Sequence, residues 1–277
     1  MQPSKRPGRS RQRGRRPREG TTERLFGLHS VREAILSGRR PLLRLLVRRG
    51  ERRDEVAELV RAAGEAGLEV IEVEADDLAP GEDEGRGSGF SGSGNPQGVA
   101  LDAGPLPELS LAELCTPAKG PRRIVALDGV EDPQNLGAIA RVADASGARG
   151  MILTSHRAPR LSPAVARASA GAIEWLPVAR VGNLRRALEE LKTQGFWVVG
   201  ADLEAPVSIY EVSDSLLQGD LVVVLGAEGR GLRPGVRALV DHPVQIPMQG
   251  RVGSLNVATA GAVVLFELLR RSQKSGA

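Results

Sequence analysis

The strongest constraint on the fold is a near-continuous apolar run, LVVVLG, at Leu221–Gly226. It has the length of a strand but lacks the alternation of polar and apolar residues that a half-exposed strand shows. Strands buried on both faces belong to parallel sheets that are covered by helices. Comparable runs occur at Arg123–Asp128, 151–154, 196–202 and 244–247. The sequence therefore predicts an α/β fold with a largely parallel sheet.

Helical patterns fill the gaps between these runs. The first begins near Pro133 and closes at Gly147, and others are predicted at 163–172, 184–194, 232–240 and about 255–271. The last of them carries apolar or small residues on every side, so we expect it to be buried nearly all round. Ser254 and Asn256 stand at its start, where a small polar side chain can cap the helix or bind a ligand.

A smaller α/β unit is predicted upstream. The stretch LFGLHSVREAIL looks like a short lead-in followed by a helix, with Ser30 and Glu33 at the spacing of a capping box. Three strands and one helix should follow, at 42–47, 54–66 (the helix), 68–73 and 97–103, and composition predicts a flexible loop at 81–94.

We therefore divide the chain into four parts. Residues 1–22 form a disordered basic tail, 23–103 a small α/β domain, 104–121 a proline-rich linker with a brief helix, and 122–273 the larger α/β domain.

Charge and cysteine content narrow the function. The first 20 residues hold eight basic residues and one acid, whereas the rest of the chain holds 30 basic and 33 acidic residues. A basic tail of this kind suits sequence-independent attraction to nucleic-acid phosphates, although a passive solubilising extension is the alternative. The single cysteine, Cys115, excludes an internal disulfide and a cysteine-rich zinc site. No apolar run is long enough for a membrane span, so we expect a cytoplasmic protein.

Three loops should share one edge of the larger sheet, because ligands of parallel sheets bind beyond the carboxyl ends of the strands. These loops are 131–137, 226–231 and 248–254. All three are rich in small or flexible residues. They carry polar side chains in or next to them: Asn135, Arg141, Glu228, Ser254 and Asn256. The sequence thus predicts one composite site.

Several common kinds of site are excluded. Gly226, Gly229 and Gly231 do not have the spacing of a dinucleotide fingerprint, and there is no phosphate-binding lysine motif. No histidine and carboxylate cluster has the spacing of metal ligands, so we expect no metal. No serine, histidine and acid set lies on a nucleophile elbow. Spacing alone leads to an α/β protein with a glycine-lined site and a basic tail.

Three longer segments are more specific. DGVEDPQNLGAIAR at 128–141, VVLGAEGRGL at 223–232 and IPMQGRVGSLNVATAGAVVLFE at 246–267 resemble the three motifs of the SpoU (TrmH) family. These are knotted RNA ribose 2′-O-methyltransferases of the SPOUT class. LFGLHSVREAIL and QGVALDA resemble the substrate-binding domain of the branch that methylates a guanosine of 23S rRNA. The resemblance implies S-adenosylmethionine as methyl donor, a homodimer and a deep C-terminal trefoil knot.

The resemblance also implies roles for individual residues. Arg141 would be the main catalytic residue, acting through hydrogen bonds because a guanidinium is not deprotonated in proteins. Asn135 would orient Arg141 or the RNA, Glu228 would fix that arginine or a substrate group, and Ser254 and Asn256 would complete the site, with one side contributed by a partner subunit. The cofactor would be bound by Gly200, Ala201, Leu225, Gly226, Ile246, Met248 and Leu255. Arg160, Arg167 and Arg251 are candidate RNA contacts, with ordinary solvated charge as the alternative.

Two functions remain open at this point. The first is a 2′-O-methyltransferase of ribosomal RNA, with transfer RNA as the close variant and an antibiotic-resistance methylase separable only by its target nucleotide. The second is a non-catalytic RNA-binding protein that aids ribosome assembly. A pure binding protein has no chemical need for the full polar set, which favours the enzyme.

Overall fold

A computed structural model describes residues 22–78 and 97–274 of the chain. The predicted basic tail, apart from residue 22, and the loop predicted at 81–94 lie outside the described residues. Two sheets organise the rest.

The N-terminal unit is a four-stranded mixed sheet with two helices. Its strand order is β1-β4-β2-β3, in which β4 runs antiparallel to β1 and β2, and β2 runs parallel to β3. The elements are β1 Glu23–Phe26, α1 Leu28–Ser37, β2 Leu42–Arg48, α2 Asp54–Glu65, β3 Glu69–Val73 and β4 Val99–Ala103.

The C-terminal unit is built on a seven-stranded sheet in which every pair is parallel, as the apolar runs predict. The strand order is β7-β6-β5-β10-β8-β11-β9. The elements are α3 Leu111–Leu114, β5 Arg123–Asp128, α4 Pro133–Ala145, β6 Gly150–Thr154, α5 Pro163–Ala168, β7 Val178–Val181, α6 Leu184–Thr193, β8 Trp197–Ala201, β9 Val207–Ser208, β10 Leu221–Gly226, α7 Pro234–Arg237, β11 His242–Gln245 and α8 Val257–Lys274.

Both faces of this sheet are buried. Side chains of a strand point alternately to opposite faces, so Val223 and Leu225 of β10 pack on the side of α4, α5 and α8. Val222 and Val224 pack on the other side, with α6 and α7. This double burial is why the run Leu221–Gly226 carries no polar residue.

The strand order reverses between β5 and β10. From β5 the chain moves outward through β6 and β7 and later returns to the other side of β5, so the two loops that leave β5 and β10 diverge. Asp128 and Gly226, the last residues of the two strands, are paired in register. A crevice at such a switch point is where open α/β sheets bind ligands.

The capping box predicted at the start of α1 is wrong. The helix begins at Leu28 with Gly27 as its cap, so Ser30 lies inside the first turn. The Ser30 hydroxyl is buried and donates to the Ala166 carbonyl oxygen at 3.2 Å. Glu33 instead accepts a hydrogen bond from the Trp175 indole at 2.7 Å. Both side chains thus serve contacts with the C-terminal unit, which local spacing cannot show.

The prediction that the last helix is buried all round is wrong for one face. Val264, Leu265 and Leu268 are buried, but Phe266 is 45% exposed and Thr259 is exposed on the same side. Half-exposed Ala262 and Val263 lie between them. The open face of α8 is therefore largely apolar.

Among residues 22–78 and 97–274, none of the helices combines the length and the apolar character that a membrane span requires.

Candidate active site

A cavity of about 510 Å³ opens at the carboxyl ends of β8, β10 and β11. Its walls are the loop after β10, the loop before α8 and the first residues after β8. Six of the seven residues predicted to bind the cofactor line it, namely Ala201, Leu225, Gly226, Ile246, Met248 and Leu255, and so does Ser254.

Gly200, the seventh predicted residue, does not line the cavity. A Cβ atom at this position would meet the Val240 side chain at 2.7 Å and the Leu232 side chain at 2.9 Å. Leu232 and Val240 pack in the core on the side of the sheet that is covered by α6 and α7. Gly200 thus allows Leu232, which itself lines the cavity, to pack closely against β8, but Gly200 is not among the lining residues.

A tight turn after β10 forms one wall of the cavity. The Gly231 N–H donates to the Ala227 carbonyl oxygen at 2.9 Å, and Gly229 and Gly231 have φ values of 72° and 60°. A Cβ at Gly226 would lie 2.3 Å from the carbonyl carbon of Gly231. Only glycine therefore lets the turn fold back onto the end of its own strand.

Beside this cavity, three polar side chains from three separate segments of the chain meet. The Asn256 amide nitrogen Nδ2 donates to Glu228 Oε1 at 2.5 Å and to Asn135 Oδ1 at 2.9 Å. Asn135 Nδ2 donates to the same Glu228 oxygen at 3.3 Å. We call Asn135, Glu228 and Asn256 the polar triad. Three of the five polar side chains predicted for the composite site are thus directly hydrogen-bonded to one another.

Helix starts hold two members of the triad in place. Asp132 caps α4 by accepting from the Gln134 N–H at 3.0 Å, which leaves the Asn135 side chain free to point at Glu228. Asn256 caps α8 itself, because its Oδ1 accepts from the N–H groups of Ala258 and Thr259 at 2.9 and 3.3 Å. Its oxygen therefore serves the helix and its nitrogen serves the triad.

Arg141 does not join the triad. It is exposed on α4 and, within the described residues, forms no hydrogen bond or ion pair. Six residues separate it from Asn135, which places the two side chains about 120° apart around the helix. One chain thus presents the triad on the α8 side of α4 and Arg141 on a different side.

The three arginines predicted as RNA contacts are all exposed. Arg160 lies in the loop before α5, Arg251 in the loop before α8, and Arg167 near the end of α5, where it lines a second cavity against the N-terminal unit. The structure spreads them over three segments and does not bring them together.

Two ion pairs that shape the site are absent from the predictions made on the sequence. Asp128, almost fully buried at the end of β5, accepts from the Arg233 backbone N–H at 2.8 Å and from its Nε at 2.5 Å. This anchors the chain just after the glycine turn. An apolar strand that ends in an acid is the signal that could have indicated it.

The second ion pair borders the cavity. Arg237 of α7 donates to Asp202 Oδ2 at 2.5 Å and to Glu204 Oε2 at 2.9 Å. Burial alone would raise the pKa of Asp202, but the hydrogen bonds from Arg237 and from the Glu204 backbone outweigh it, so this pKa lies below its ordinary value. Asp202 thus stands at the cavity wall as a carboxylate at neutral pH. Among the described residues no group of three or more histidine, cysteine or acidic side chains is placed to hold a metal.

Comparison with known proteins identifies two families of RNA methyltransferase domains. Residues 122–266 match the SpoU rRNA methylase family, and residues 24–109 match the RNA 2′-O ribose methyltransferase substrate-binding family. The 23S rRNA (guanosine-2′-O-)-methyltransferase RlmB of Pseudomonas syringae pv. tomato is 36% identical over 252 residues, covering 90% of this chain and 96% of that protein. A protein of Staphylococcus aureus named putative TrmH family tRNA/rRNA methyltransferase is 33% identical over 91% of this chain and 97% of its own.

A solved structure also resembles this chain over most of its length. The SpoU methyltransferase AviRb from Streptomyces viridochromogenes, in complex with AdoMet, matches with a TM-score of 0.73 and 26% identity, covering 92% of each chain. The family assignment is supported by both family matches, and the structure adds a glycine-lined cavity with a polar triad beside it. The chain belongs to the SpoU rRNA methylase family and is an RNA 2′-O-ribose methyltransferase.

Proposed function

We propose that the protein transfers a methyl group from S-adenosylmethionine to the ribose 2′-hydroxyl of a guanosine in 23S rRNA. The observation that carries the reaction is the polar triad beside the glycine-lined cavity. The choice of guanosine in 23S rRNA is supported by the relative named for that reaction, which is similar over nearly its whole length.

The cavity fits S-adenosylmethionine. Its volume of about 510 Å³ lies within the range of small-molecule sites. Leu225, Ile246 and Leu255 offer apolar walls for a nucleobase, and glycine backbone offers close hydrogen-bonding groups. The cofactor, when bound, supplies a methyl group on a sulfonium centre. AviRb, which shares the fold, was crystallised with this cofactor.

Glu228 is suited to hold the attacking hydroxyl. Its Oε1 accepts from Asn135 Nδ2, from Asn256 Nδ2 and, at 3.4 Å, from the Val257 N–H. Three donors on one oxygen hold the carboxyl group in a single orientation. Its Oε2 forms no hydrogen bond to the described residues. We infer that this free oxygen accepts a hydrogen bond from the ribose 2′-hydroxyl and orients it.

We propose a homodimer in which Arg141 reaches the triad of the partner subunit. Two observations support this arrangement. Arg141 lies on a different side of α4 from Asn135 of its own chain, and the apolar face of α8 around Phe266 is exposed. Ala138 and Val142 are half-exposed apolar side chains on α4, which packs against α8. As a fixed cation, Arg141 would hold an RNA phosphate and stabilise the alkoxide as it forms.

Three further features belong to the proposal. We propose the domain limits given by the sequence, a deep trefoil knot in the C-terminal unit, and a cytoplasmic location. The buried, unpaired thiol of Cys115 is in keeping with a reducing compartment.

The test is methyl transfer from labelled S-adenosylmethionine to purified large-subunit RNA that lacks its own 2′-O-methyl groups, followed by mapping of the modified nucleotide. A single 2′-O-methylguanosine is the expected product. Label in transfer RNA alone would support the proposed reaction but contradict the choice of 23S rRNA as the substrate. If neither RNA nor assembling ribosomal particles are labelled although the cofactor is bound, the methyltransferase assignment is contradicted. That result would favour a non-catalytic RNA-binding protein.

A further inference from the structure

A second cavity, of about 190 Å³, lies where the N-terminal unit meets the C-terminal unit. We call it the seam cavity. His29, Ser30 and Gln97 line it from the N-terminal side, and Arg167 and Ala170 line it from the end of α5. Gln97 and Ala170 both have positive φ, at 53° and 51°, which is uncommon for residues other than glycine. Each unit thus contributes an unusual backbone turn to the same cavity.

The walls of the seam cavity are fixed to one another. Arg40 of the N-terminal unit pairs with Glu174 of the C-terminal unit through two hydrogen bonds of 2.8 and 3.0 Å, and neither side chain has exposed surface. The Ser30 hydroxyl donates to the Ala166 carbonyl oxygen, one residue before Arg167. A buried ion pair costs much to separate, so the cavity is a standing feature of the fold.

Arg167 brings a positive charge to the seam cavity that is not paired with an acidic side chain of the described residues. Arg167 is exposed and forms no hydrogen bond or ion pair with the residues that the structure describes, so all its N–H donors are available. Glu33, one turn along α1 from His29, already accepts from Trp175 and from Arg32. The nearby acid is therefore engaged elsewhere, and the cavity offers donors for an anion.

The seam cavity is lined by the end of α5, and α5 packs against α4, the helix that carries Asn135. A Cβ atom at Gly137 of α4 would meet the Ala168 side chain at 2.4 Å, so the two helices touch at this point. Arg167 is the neighbour of Ala168, and Asn135 of the polar triad is two residues before Gly137.

We propose that the seam cavity binds one backbone phosphate of the substrate RNA, with Arg167 as the principal cation and His29 as a second donor. The inference rests on the proposed function in taking RNA as the substrate, and it adds a fixed phosphate site at the junction of the N-terminal and C-terminal units. Arg167 would then set the register of the RNA and take no part in the chemical step.

The experiment compares Arg167→Ala, Arg167→Lys and Arg186→Ala in the full chain. Arg186 is the matched control, because it is also exposed and its side chain is unpaired within the described residues, yet it lies on α6, on the opposite face of the sheet. Binding of unmodified large-subunit RNA is measured by filter retention over a range of salt concentrations. Binding of S-adenosylmethionine and thermal stability are measured in parallel.

We expect Arg167→Ala to weaken RNA binding about tenfold at moderate salt and to lower the slope of log K against log salt by about 1. Arg167→Lys should restore most of the affinity, because a phosphate accepts a point charge. Arg186→Ala should change neither quantity. Equal effects of Arg167→Ala and Arg186→Ala, or an unchanged salt slope, would overturn the proposal.

The outcome is separable from that of the proposed function. If the wild-type protein binds the RNA but transfers no methyl group, the enzymatic proposal fails, and the salt slopes still decide the phosphate site. Conversely, methyl transfer with Arg167→Ala equal to Arg186→Ala in RNA affinity would leave the reaction intact and remove the site.

Discussion

Asn256 Nδ2 lies 2.5 Å from Glu228 Oε1, while Oδ1 of the same amide caps α8. The Asn256 side chain therefore caps the last helix and also orients the Glu228 carboxylate. We propose that this carboxylate binds the ribose 2′-hydroxyl. The two roles can be separated, because they use different atoms.

Asn256→Asp should separate them. An aspartate keeps an oxygen for the N–H groups of Ala258 and Thr259, but it has no donor for Glu228 and adds a like charge next to it. We expect thermal stability close to wild type and a kcat at least about tenfold lower. Asn256→Ala should lose the cap as well, at about 1 kcal/mol. An Asn256→Asp enzyme with wild-type kcat would contradict the role given to this amide.

Arg141 should act on the site of the partner subunit. Arg141→Ala and Glu228→Gln homodimers should each be inactive, with the fold and cofactor affinity retained. A mixed dimer that carries one change in each subunit has one site with both wild-type residues, if Arg141 serves the partner. It should recover about half of the wild-type activity.

The purified mixed dimer, with a different tag on each subunit, is assayed for methyl transfer. An inactive mixed dimer would show that Arg141 serves its own chain. Full activity of the Arg141→Ala homodimer would remove the residue from catalysis altogether.

Phe266 should lie in the dimer interface. It is 45% exposed on the apolar face of α8, and a charge placed there would be buried without a partner in the dimer. We expect Phe266→Glu to sediment as a folded monomer and to lose methyl transfer, whereas Phe266→Leu stays dimeric. Sedimentation velocity distinguishes these states, and a stable, active Phe266→Glu dimer would rule out this face.

Gly226 should be required for the cofactor cavity. Its added Cβ would meet backbone atoms of Gly231 at 2.3 and 2.4 Å, which side-chain movement cannot relieve. We expect Gly226→Ala to displace the turn, to cost about 1–3 kcal/mol of stability and to weaken S-adenosylmethionine binding measured by calorimetry. Gly253→Ala is the control, because Gly253 lines the same cavity and a Cβ added there would meet no atom within 4 Å. Equal affinities of the two variants would contradict the requirement.

The parts of the fold that depend on local pattern could be predicted from the sequence. The run Leu221–Gly226 is a strand with those same bounds, because a strand buried on both faces leaves an unbroken apolar signal. The strand Val178–Val181 could not be predicted in this way, because it is short, carries Arg180 and gives no such signal. The two-residue strand Val207–Ser208 has no pattern to detect.

Features that depend on distant contacts could not be predicted. Ser30 and Glu33 have capping-box spacing, yet their partners are Ala166 and Trp175, more than 130 positions away. The pairing of Arg40 with Glu174 is invisible for the same reason. The sequence predicts that the three loops meet, but which atoms bond, and that Asn256 caps the helix, depends on how the loops converge.

The most direct test of the central claim uses two short RNAs that are identical except at the guanosine mapped as the target. One carries the ribose 2′-hydroxyl and the other carries hydrogen at that position. Methyl transfer from labelled S-adenosylmethionine is measured with the wild-type protein and with Glu228→Gln. The account predicts label only in the hydroxyl-bearing RNA and only with the wild-type protein. Equal labelling of both RNAs would mean that the base is methylated, and would contradict the assignment of the triad to a ribose hydroxyl.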